Sequence, residues 1–257
     1  MTEAQQIAAP PRYSVDLART PAEIRESQRL RYRIFAGEMG ARIDDGGTGM
    51  DVDTYDPFCR HLLVKERETG RIIASTRILT DDRAGDAGGF YSESEFELGL
   101  LDSLPGRAIE VGRTCVDPEF RNGAVIATLW SGLAAFVTTN EFDYLFGCAS
   151  VGLQDGGANA RAVLDLLRSR YMAPAYHRVR PRIALPPLDA AALEKVCMPP
   201  LLKAYVSLGA KACGEPYWDR DFNCADVFML LNVGELCPRY ARRFLGRSAE
   251  SDAPALV

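Results

Sequence analysis

The feature that most constrains the fold is a β-hairpin pattern followed by a strand and an apolar helix. Residues 61–67 and 71–79 are rich in apolar and β-branched residues and flank a Glu-Thr-Gly turn at 68–70, a pattern that predicts two antiparallel strands. Residues 108–116 predict a further strand, and the long apolar segment at about 124–139 predicts a buried helix. A chain with this order of elements forms a sheet with helices packed against it.

A capping pattern marks the first helix. Thr20 suits the N-cap, Pro21 suits the first helical position, and Glu23 stands three residues after the cap, as a capping box requires. The other predicted elements are strands at 13–17, 144–149 and 225–233 and helices at 158–171 and 199–209. The whole order predicts an α/β or α+β protein in which a mixed sheet is flanked by helices.

Composition narrows the class of protein. The 257 residues can form one elaborated core, and we expect a single domain over 13–246 between a disordered leader at 1–12 and a flexible tail at 247–257. The formal net charge of −5 argues against a nucleic-acid-binding protein. The seven cysteines include no CxxC pair, which fits neither a zinc ribbon nor a redox motif. Without a signal-peptide pattern or an apolar run of about 20 residues, we expect a cytoplasmic protein.

Two loops are candidates for binding. Residues 40–58 contain four glycines and five aspartates, and a loop of this length inside a domain is often a lid or a binding loop. The second is the turn Arg121-Asn122-Gly123-Ala124, which joins the strand ending at Val116 to the apolar helix. The first amides of a helix lack intrahelical partners, so this turn suits a phosphate. Strand–turn–helix junctions also occur in proteins that bind no anion, so both interpretations stay open.

Motifs in a fixed order carry a resemblance to known families. The N-terminal half contains Arg31-Tyr-Arg33-Ile-Phe35, Asp53-x-Tyr55-Asp56, His61-Leu62, Arg77-Ile-Leu79 and Glu110-Val-Gly-Arg113. This half resembles the acyl-homoserine-lactone synthases, a branch of the GNAT N-acyltransferases that uses acyl carrier protein. Residues 116–134, 199–216, 221–223 and 226–228 resemble the L-ornithine N-alpha-acyltransferases. The resemblance covers nearly all of residues 24–245.

The resemblance implies a fold and a reaction. The fold would be a GNAT-type mixed, mainly antiparallel twisted sheet. The reaction would move a 3-hydroxyacyl group from the 4'-phosphopantetheine of acyl carrier protein to the alpha-amine of L-ornithine, giving lyso-ornithine lipid. The usual phosphate-binding turn of the family, Arg/Gln-x-x-Gly-x-Gly/Ala, is contracted here, which favours acyl carrier protein over acetyl-CoA, with acyl-CoA as the alternative donor. We expect no metal and no permanently bound cofactor.

The family motifs also suggest roles for individual residues. Glu110 is the first candidate for the general base that takes the amine proton. Asp53 and Asp56 are the alternatives, since a carboxylate is also needed to hold the side-chain ammonium of the substrate. The predicted catalytic residues are Glu110, Arg113 and Asp53. The predicted substrate contacts are Arg31, Phe35, Asp56, Arg77, Thr114 and Cys115. The predicted contacts with the acyl donor are Val116, Arg121, Asn122, Gly123 and Ala124. An arginine of this set would bind the substrate carboxylate, unless these charges form only a structural network.

The remaining chemistry is less defined by the sequence. Backbone amides near Thr114 to Val116 would stabilise the oxyanion. Strand alternation places Cys115 on the same side as Arg113, but a thiol nucleophile would need His61 or His177 beside it, the two histidines of the chain.

Two arginine clusters suggest surfaces for partners. They are Arg161, Arg168, Arg170, Arg178, Arg180 and Arg182, and Arg239, Arg242, Arg243 and Arg247. Each is either a solvated face, a docking surface for acidic carrier protein, or a peripheral contact with an anionic inner membrane. The alternative functions are an acyl-homoserine-lactone synthase, an N-acyltransferase for another amino acid, and a non-enzymatic membrane-active protein.

Overall fold

An eight-stranded sheet, antiparallel except for one pair of strands, forms the centre of the molecule. The computed structural model describes residues 11–99, 101–188 and 196–236. The strands are β1 (Tyr13–Leu17), β2 (Arg60–Glu66), β3 (Ile72–Thr80), β4 (Phe96–Glu97), β5 (Ala108–Val116), β6 (Tyr144–Gly152), β7 (Arg180–Pro181), β8 (Lys211–Ala212), β9 (Tyr217–Asp219) and β10 (Cys224–Asn232). The helices are α1 (Pro21–Tyr32), α2 (Asp81–Ala84), α3 (Gly123–Thr139), α4 (Ala158–Arg170) and α5 (Pro200–Leu208).

The strand order confirms the predicted mixed, mainly antiparallel sheet. The order is β1-β2-β3-β5-β6-β10-β8, with β9 paired to β10 beside this path. Only β5 and β6 run parallel among the described strand pairs of this sheet. The short strands β4 and β7 form a separate two-stranded ribbon, which the sequence pattern did not predict. Residues 1–10 of the predicted leader and the whole predicted tail lie outside the described residues.

The first helix begins as predicted. Thr20 Oγ1 accepts a hydrogen bond from the Glu23 amide at 3.3 Å, and Glu23 Oε2 accepts one from the Thr20 amide at 3.1 Å. This capping box satisfies two backbone donors that a helix start otherwise leaves open. A π-helical segment at Arg33–Glu38 then continues α1. None of the helices in the described ranges has both the length and the apolar character of a membrane span.

The two faces of the sheet are covered differently. Helices α3, α4 and α5 pack on one face over the largest apolar core, which includes Val111, Leu145 and Val227. On the other face, α1 covers β2, β3 and β5 through contacts such as Leu30 with Leu63. The β4–β7 ribbon covers β6 and β10 on that same face, through a separate apolar cluster. A gap therefore remains on this face between α1 and the ribbon.

The gap continues into the sheet because β5 and β6 separate. They pair only from Ala108 to Glu110 on β5, whereas β6 stays paired with β10 as far as Gly152. At the point of separation, Gly147 lies against β5: a Cβ atom there would stand 2.1 Å from the Val111 carbonyl oxygen. The two backbones therefore touch at the root of the gap and diverge beyond it.

Substitution of Gly147 by alanine should destabilise the protein. The added methyl group collides with backbone rather than with a side chain that could rotate, so a strand must shift, at a cost of about 1–3 kcal/mol. The measurement is the free energy of unfolding in denaturant. Gly85→Ala is the matched control, because that residue has ordinary helical dihedrals and no atom within 4 Å of the added Cβ. Equal stability of the two variants would contradict the close approach of β5 and β6.

Candidate functional site

The space between β5 and β6 is the candidate site. It encloses about 770 Å³ of space between protein atoms, a figure that includes the solvent at its open mouth. Arg77, Glu110 and Arg113 line one side, and Cys148 and Asp226 line the other. Leu201 of α5, which packs on the opposite face of the sheet, also lines the cleft. The cleft thus reaches from the α1 face of the sheet into the space between the strands.

Glu110 lies at the root of the cleft, at the last residue of β5 that pairs with β6. Its carboxylate accepts hydrogen bonds from the Tyr91 amide at 2.7 Å, the Ser92 amide at 2.7 Å and the Ser92 hydroxyl at 2.5 Å. Burial raises the pKa of Glu110, although the bonds from Ser92 and the charge of Arg77 act in the opposite direction. A fixed carboxylate with a raised pKa is a suitable proton acceptor.

A buried ion network supports the floor of the site. Arg31 is almost fully buried and pairs with Asp51 at 2.8 Å and with Asp56 at 2.8 Å. Asp56 also accepts a hydrogen bond from Gln28 at 3.0 Å. Burial alone would raise the pKa of Asp56, but the hydrogen bond and charge of Arg31, helped by Arg77, hold it well below its usual range. The network therefore joins α1 to the long loop at 40–58.

Arg77 links this network to the cleft. Its guanidinium lies 2.5 Å from Asp53 and 3.1 Å from Asp56. It also lies over the rings of Tyr55 and Tyr91, at 5.7 and 5.9 Å from their centroids. Burial would lower the pKa of Arg77, but Asp53 and its other acidic neighbours raise it, so the side chain stays charged.

Arg113 occupies a strained backbone position in β5. Its φ of 52° lies in the left-handed region, which is uncommon for residues other than glycine. Arg113 and Thr114 together stand opposite Thr76 of β3, which is the geometry of a β-bulge. The Arg113 Nε atom lies 3.3 Å from an Asp51 oxygen, yet it is buried and makes no hydrogen bond. The guanidinium is thus paired with Asp51 and Asp53, but its Nε donor has no acceptor in hydrogen-bond geometry.

The structure brings five of the nine predicted catalytic and substrate-binding residues to the cleft. Phe35, Arg77, Glu110, Arg113 and Thr114 line it. Asp53 lies on an adjoining opening that Arg113 also lines.

Three predicted substrate contacts have other positions. Arg31 and Asp56 are buried in the ion network and support the residues that line the cleft. Cys115 packs beneath α1 with Leu30, and burial raises its thiol pKa to about 11. His61 contacts the Asp56 carbonyl oxygen at 3.2 Å instead of Cys115. The described contacts therefore offer no activated thiol at Cys115.

The predicted phosphate-binding turn is partly occupied by its own side chains. Asn122 Oδ1 accepts hydrogen bonds from the Ala124 and Val125 amides at 3.1 and 3.2 Å. Arg121 pairs with both carboxylate oxygens of Glu38, at 2.5 and 2.7 Å. Its Nε atom also donates to the Val116 carbonyl at 3.2 Å. Gly123 is open, with no atom within 4 Å of a Cβ placed there.

The sequence pattern missed the far wall of the cleft. Tyr91 and Ser92, which hold Glu110, lie in a short 3-10 turn in a segment without helix or strand periodicity. The same wall includes five further residues that the sequence pattern did not predict: Glu95, Cys148, Ser150, Asp219 and Asp226. Among these missed residues, Asp226 is the one that the sequence could have indicated, because it is an acidic residue in a predicted strand that is otherwise mostly apolar.

The missed acidic residues form a buried cluster. Burial, together with the charge of Asp226, raises the pKa of Glu95 well above its usual range. Burial raises the pKa of Asp226 to about 6. Ligand atoms of Asp219, Cys224 and Asp226 lie within 4.8 Å of one another, as a metal site would need. The Cys224 thiol is a poor metal ligand here because burial and these acids raise its pKa far above normal.

The first arginine cluster is partly neutralised. Arg161 and Arg168 both pair with Asp165, at 2.9 and 2.8 Å. Arg168 also pairs with Glu215 at 2.5 Å. The second cluster, Arg239, Arg242, Arg243 and Arg247, lies outside the described residues.

Known proteins match both the sequence and the fold. The family described as "Acetyltransferase (GNAT) domain" matches residues 30–131. An L-ornithine N(alpha)-acyltransferase of Rhodobacter capsulatus is 37% identical over 259 residues, covering 93% of this chain and 99% of the relative.

Solved structures share the fold at low sequence identity. FeeM, an N-acyl amino acid synthase from uncultured soil microbes, has a TM-score of 0.53 at 15% identity and covers 88% of this chain and 93% of its own. The AHL synthase LasI has a TM-score of 0.54 at 12% identity and covers 94% of this chain and 98% of its own. Together with the family match, these confirm the predicted GNAT-type fold.

Replacement of Asp56 by asparagine should destabilise the protein by about 3 kcal/mol, because it leaves Arg31 and Arg77 buried with less compensating charge. The exposed pair Arg19–Asp16 provides the control, and Asp16→Asn should change stability by less than about 1 kcal/mol. Both are measured by denaturant unfolding at pH 7.

The Asp56 effect should depend on pH. Folding lowers the Asp56 pKa, so its stabilisation is present above about pH 4 and is lost as the pH falls through the folded value. The difference between wild type and Asp56→Asn should therefore shrink in acid. A difference that grows in acid would contradict the assigned pairing.

Proposed function

Because this chain belongs to the family of the L-ornithine N(alpha)-acyltransferases, we propose that it transfers a 3-hydroxyacyl group from acyl carrier protein to the α-amine of L-ornithine. The product would be lyso-ornithine lipid. The observation that supports this most directly is the position of Glu110, a buried carboxylate with a raised pKa at the root of an open cleft. It is placed to take the proton of an amine that attacks a thioester.

The reaction needs no covalent enzyme intermediate. The α-ammonium of the substrate first loses a proton to solvent, and the neutral amine attacks the thioester carbon. A C–N bond forms, and Glu110 accepts the second amine proton. The tetrahedral intermediate then collapses, the C–S bond breaks, and the thiolate leaves with that proton. Cys115 has no part in this sequence, because its thiol is buried in the core beneath α1.

The bulge in β5 supports a position for the oxyanion. A bulge leaves an extra residue unpaired and disrupts the ladder at Arg113 and Thr114, so we propose that a backbone amide of this segment points into the cleft. Amides held in this way can stabilise a developing oxyanion without reorganising. Arg113 would bind the carboxylate of the amino acid in addition to its pairs with Asp51 and Asp53, since its buried Nε has no hydrogen-bond partner.

The gap between β5 and β6 suits the phosphopantetheine arm. An arm in the gap would point its thioester toward Glu110 and its phosphate toward the start of α3. There, Gly123 permits close approach, and Arg121 would have to exchange its pair with Glu38 for the phosphate. Asn122 already caps two amides at this end, so we propose that the phosphate displaces the Asn122 side chain. Acyl-CoA would place the same arm in the same gap.

We also propose that the carrier protein docks on basic side chains near the cleft. Arg170, Arg178, Arg180 and Arg182 belong to the first arginine cluster and have no ion pair among the described residues. Arg178 and Arg182 instead donate to the carbonyls of Ala173 and Glu93. Acidic carrier protein would complement this surface. We propose a peripheral contact with an anionic membrane as the alternative use of the same surface.

Glu110→Gln should lower kcat at least about tenfold, which corresponds to about 1.4 kcal/mol, because glutamine cannot accept the amine proton. The assay follows thiol release from long-chain 3-hydroxyacyl carrier protein in the presence of L-ornithine. The wild-type rate should rise with pH as Glu110 ionises, and the variant should lose this dependence. The matched control is Glu68→Gln in the exposed β2–β3 turn.

The assay also separates the alternative functions. Normal turnover by folded Glu110→Gln would remove Glu110 from the mechanism. Thiol release with S-adenosylmethionine but not with ornithine would identify an acyl-homoserine-lactone synthase. No thiol release with any amine would contradict the enzymatic assignment.

A further inference from the structure

We propose that Glu95 and Asp226 form the subsite that receives the side-chain ammonium of the acceptor amino acid. This inference rests on the proposed function and adds the residues that select a cationic side chain. The two carboxyl groups come from separate elements: Glu95 immediately precedes β4, and Asp226 lies in β10 opposite Ser150 of β6.

Both carboxyl groups line the cleft that Glu110 and Arg113 also line. Their residues are 3% and 4% exposed, so access to them is through the cleft. Asp219 of β9 lines the same wall. The acidic cluster is therefore part of the reaction cleft, close to the proposed base, and not a patch on the outer surface.

These carboxyl groups lack the cations that compensate the other buried acids. Among the described residues, no ion pair involves Glu95, Asp219 or Asp226, whereas Asp51 and Asp56 each pair with arginine. The charge of Arg113 acts on Asp226, but that guanidinium pairs with Asp51.

Uncharged donors occupy part of the cluster, among them the side chains of Tyr91 on Glu95 and of Ser150 on Asp226. The Cys148 thiol donates to Glu95 at 3.0 Å, and the Cys224 thiol donates to Asp226 at 3.6 Å. A thiol is a weak donor and carries no charge. Because a buried charge is costly unless it is paired, this wall favours a cationic ligand.

Arg113 lines the same cleft and carries the opposite charge. It pairs with Asp51 and Asp53 at 3.3 and 3.5 Å, but its buried Nε atom has no hydrogen-bond partner. A ligand that complements both Arg113 and the acidic wall carries a carboxylate and an ammonium on one small skeleton. An amino acid with a basic side chain meets this condition: its carboxylate pairs with Arg113, its side-chain ammonium pairs with Glu95 and Asp226, and its α-amine is left for Glu110.

The raised pKa values of Glu95 and Asp226 agree with this role. Without a cation, burial disfavours the charged forms of both groups. An ammonium beside them favours ionisation, so the ligand gains the attraction of at least one carboxylate. A neutral side chain of the same length gains nothing from these groups and leaves them uncompensated, which is the basis of strong discrimination.

The test compares L-ornithine with L-norvaline, which has the same carbon skeleton without the side-chain amine. The purified full chain is assayed for thiol release with 3-hydroxyacyl carrier protein, and kcat/KM is measured for both amino acids. The wild type should prefer ornithine at least about a hundredfold. Glu95→Gln and Asp226→Asn should each reduce this preference at least about tenfold, mainly through a higher KM for ornithine.

The control is Glu97→Gln, an exposed residue two positions from Glu95, which should keep the wild-type preference. Equal kcat/KM for the two amino acids in the wild type would overturn the subsite without reference to any variant. An unchanged preference for ornithine in both Glu95→Gln and Asp226→Asn would also overturn it. So would an equal loss of kcat/KM for ornithine and for norvaline in variants that unfold at the wild-type midpoint. Failure of the wild type to acylate either amino acid would contradict the proposed function itself.

Discussion

The separation of β5 from β6 is the constraint on which the site depends. The strands pair through Glu110 and then diverge, and the backbone contact between Gly147 and the Val111 carbonyl marks the root of the gap. A regular sheet has no space between neighbouring strands, since they lie about 5 Å apart. Here the lost pairing exposes backbone and admits side chains from β5, β6 and β10. The cleft is therefore a property of strand pairing, and side chains only line it.

The bulge in β5 adds a second constraint. In a regular strand, residues three positions apart point to opposite faces, so Glu110 and Arg113 would not share a site. The extra residue opposite Thr76 shifts this alternation, and both side chains line one cleft. The buried pairs of Arg31 with Asp51 and Asp56 then hold the long loop against α1. Strain at Arg113 persists because this network fixes its surroundings.

Much of the fold followed from local patterns, because periodicity and turn residues act over short distances. The hairpin of β2 and β3, the capping box at Thr20 and the long helix α3 were all predictable. The family resemblance indicated Glu110 and Arg113 as candidate site residues. The bulge was not predictable, since it depends on pairing with β3. The wall formed by Tyr91, Glu95 and Asp226 depends on packing between distant segments, which periodicity does not encode.

The start of α3 has a consequence for any anion that approaches it. The Asn122 side chain already accepts hydrogen bonds from two of the amides there, so the chain itself satisfies part of this helix end. An incoming anion competes with the Asn122 side chain for these amides. Its net binding free energy is therefore the difference between two similar hydrogen-bonded states. Such a self-occupied end discriminates against small anions in solution, which bring nothing else to the exchange. By this argument, an anion would displace Asn122 more readily when the rest of its molecule is also bound by the protein.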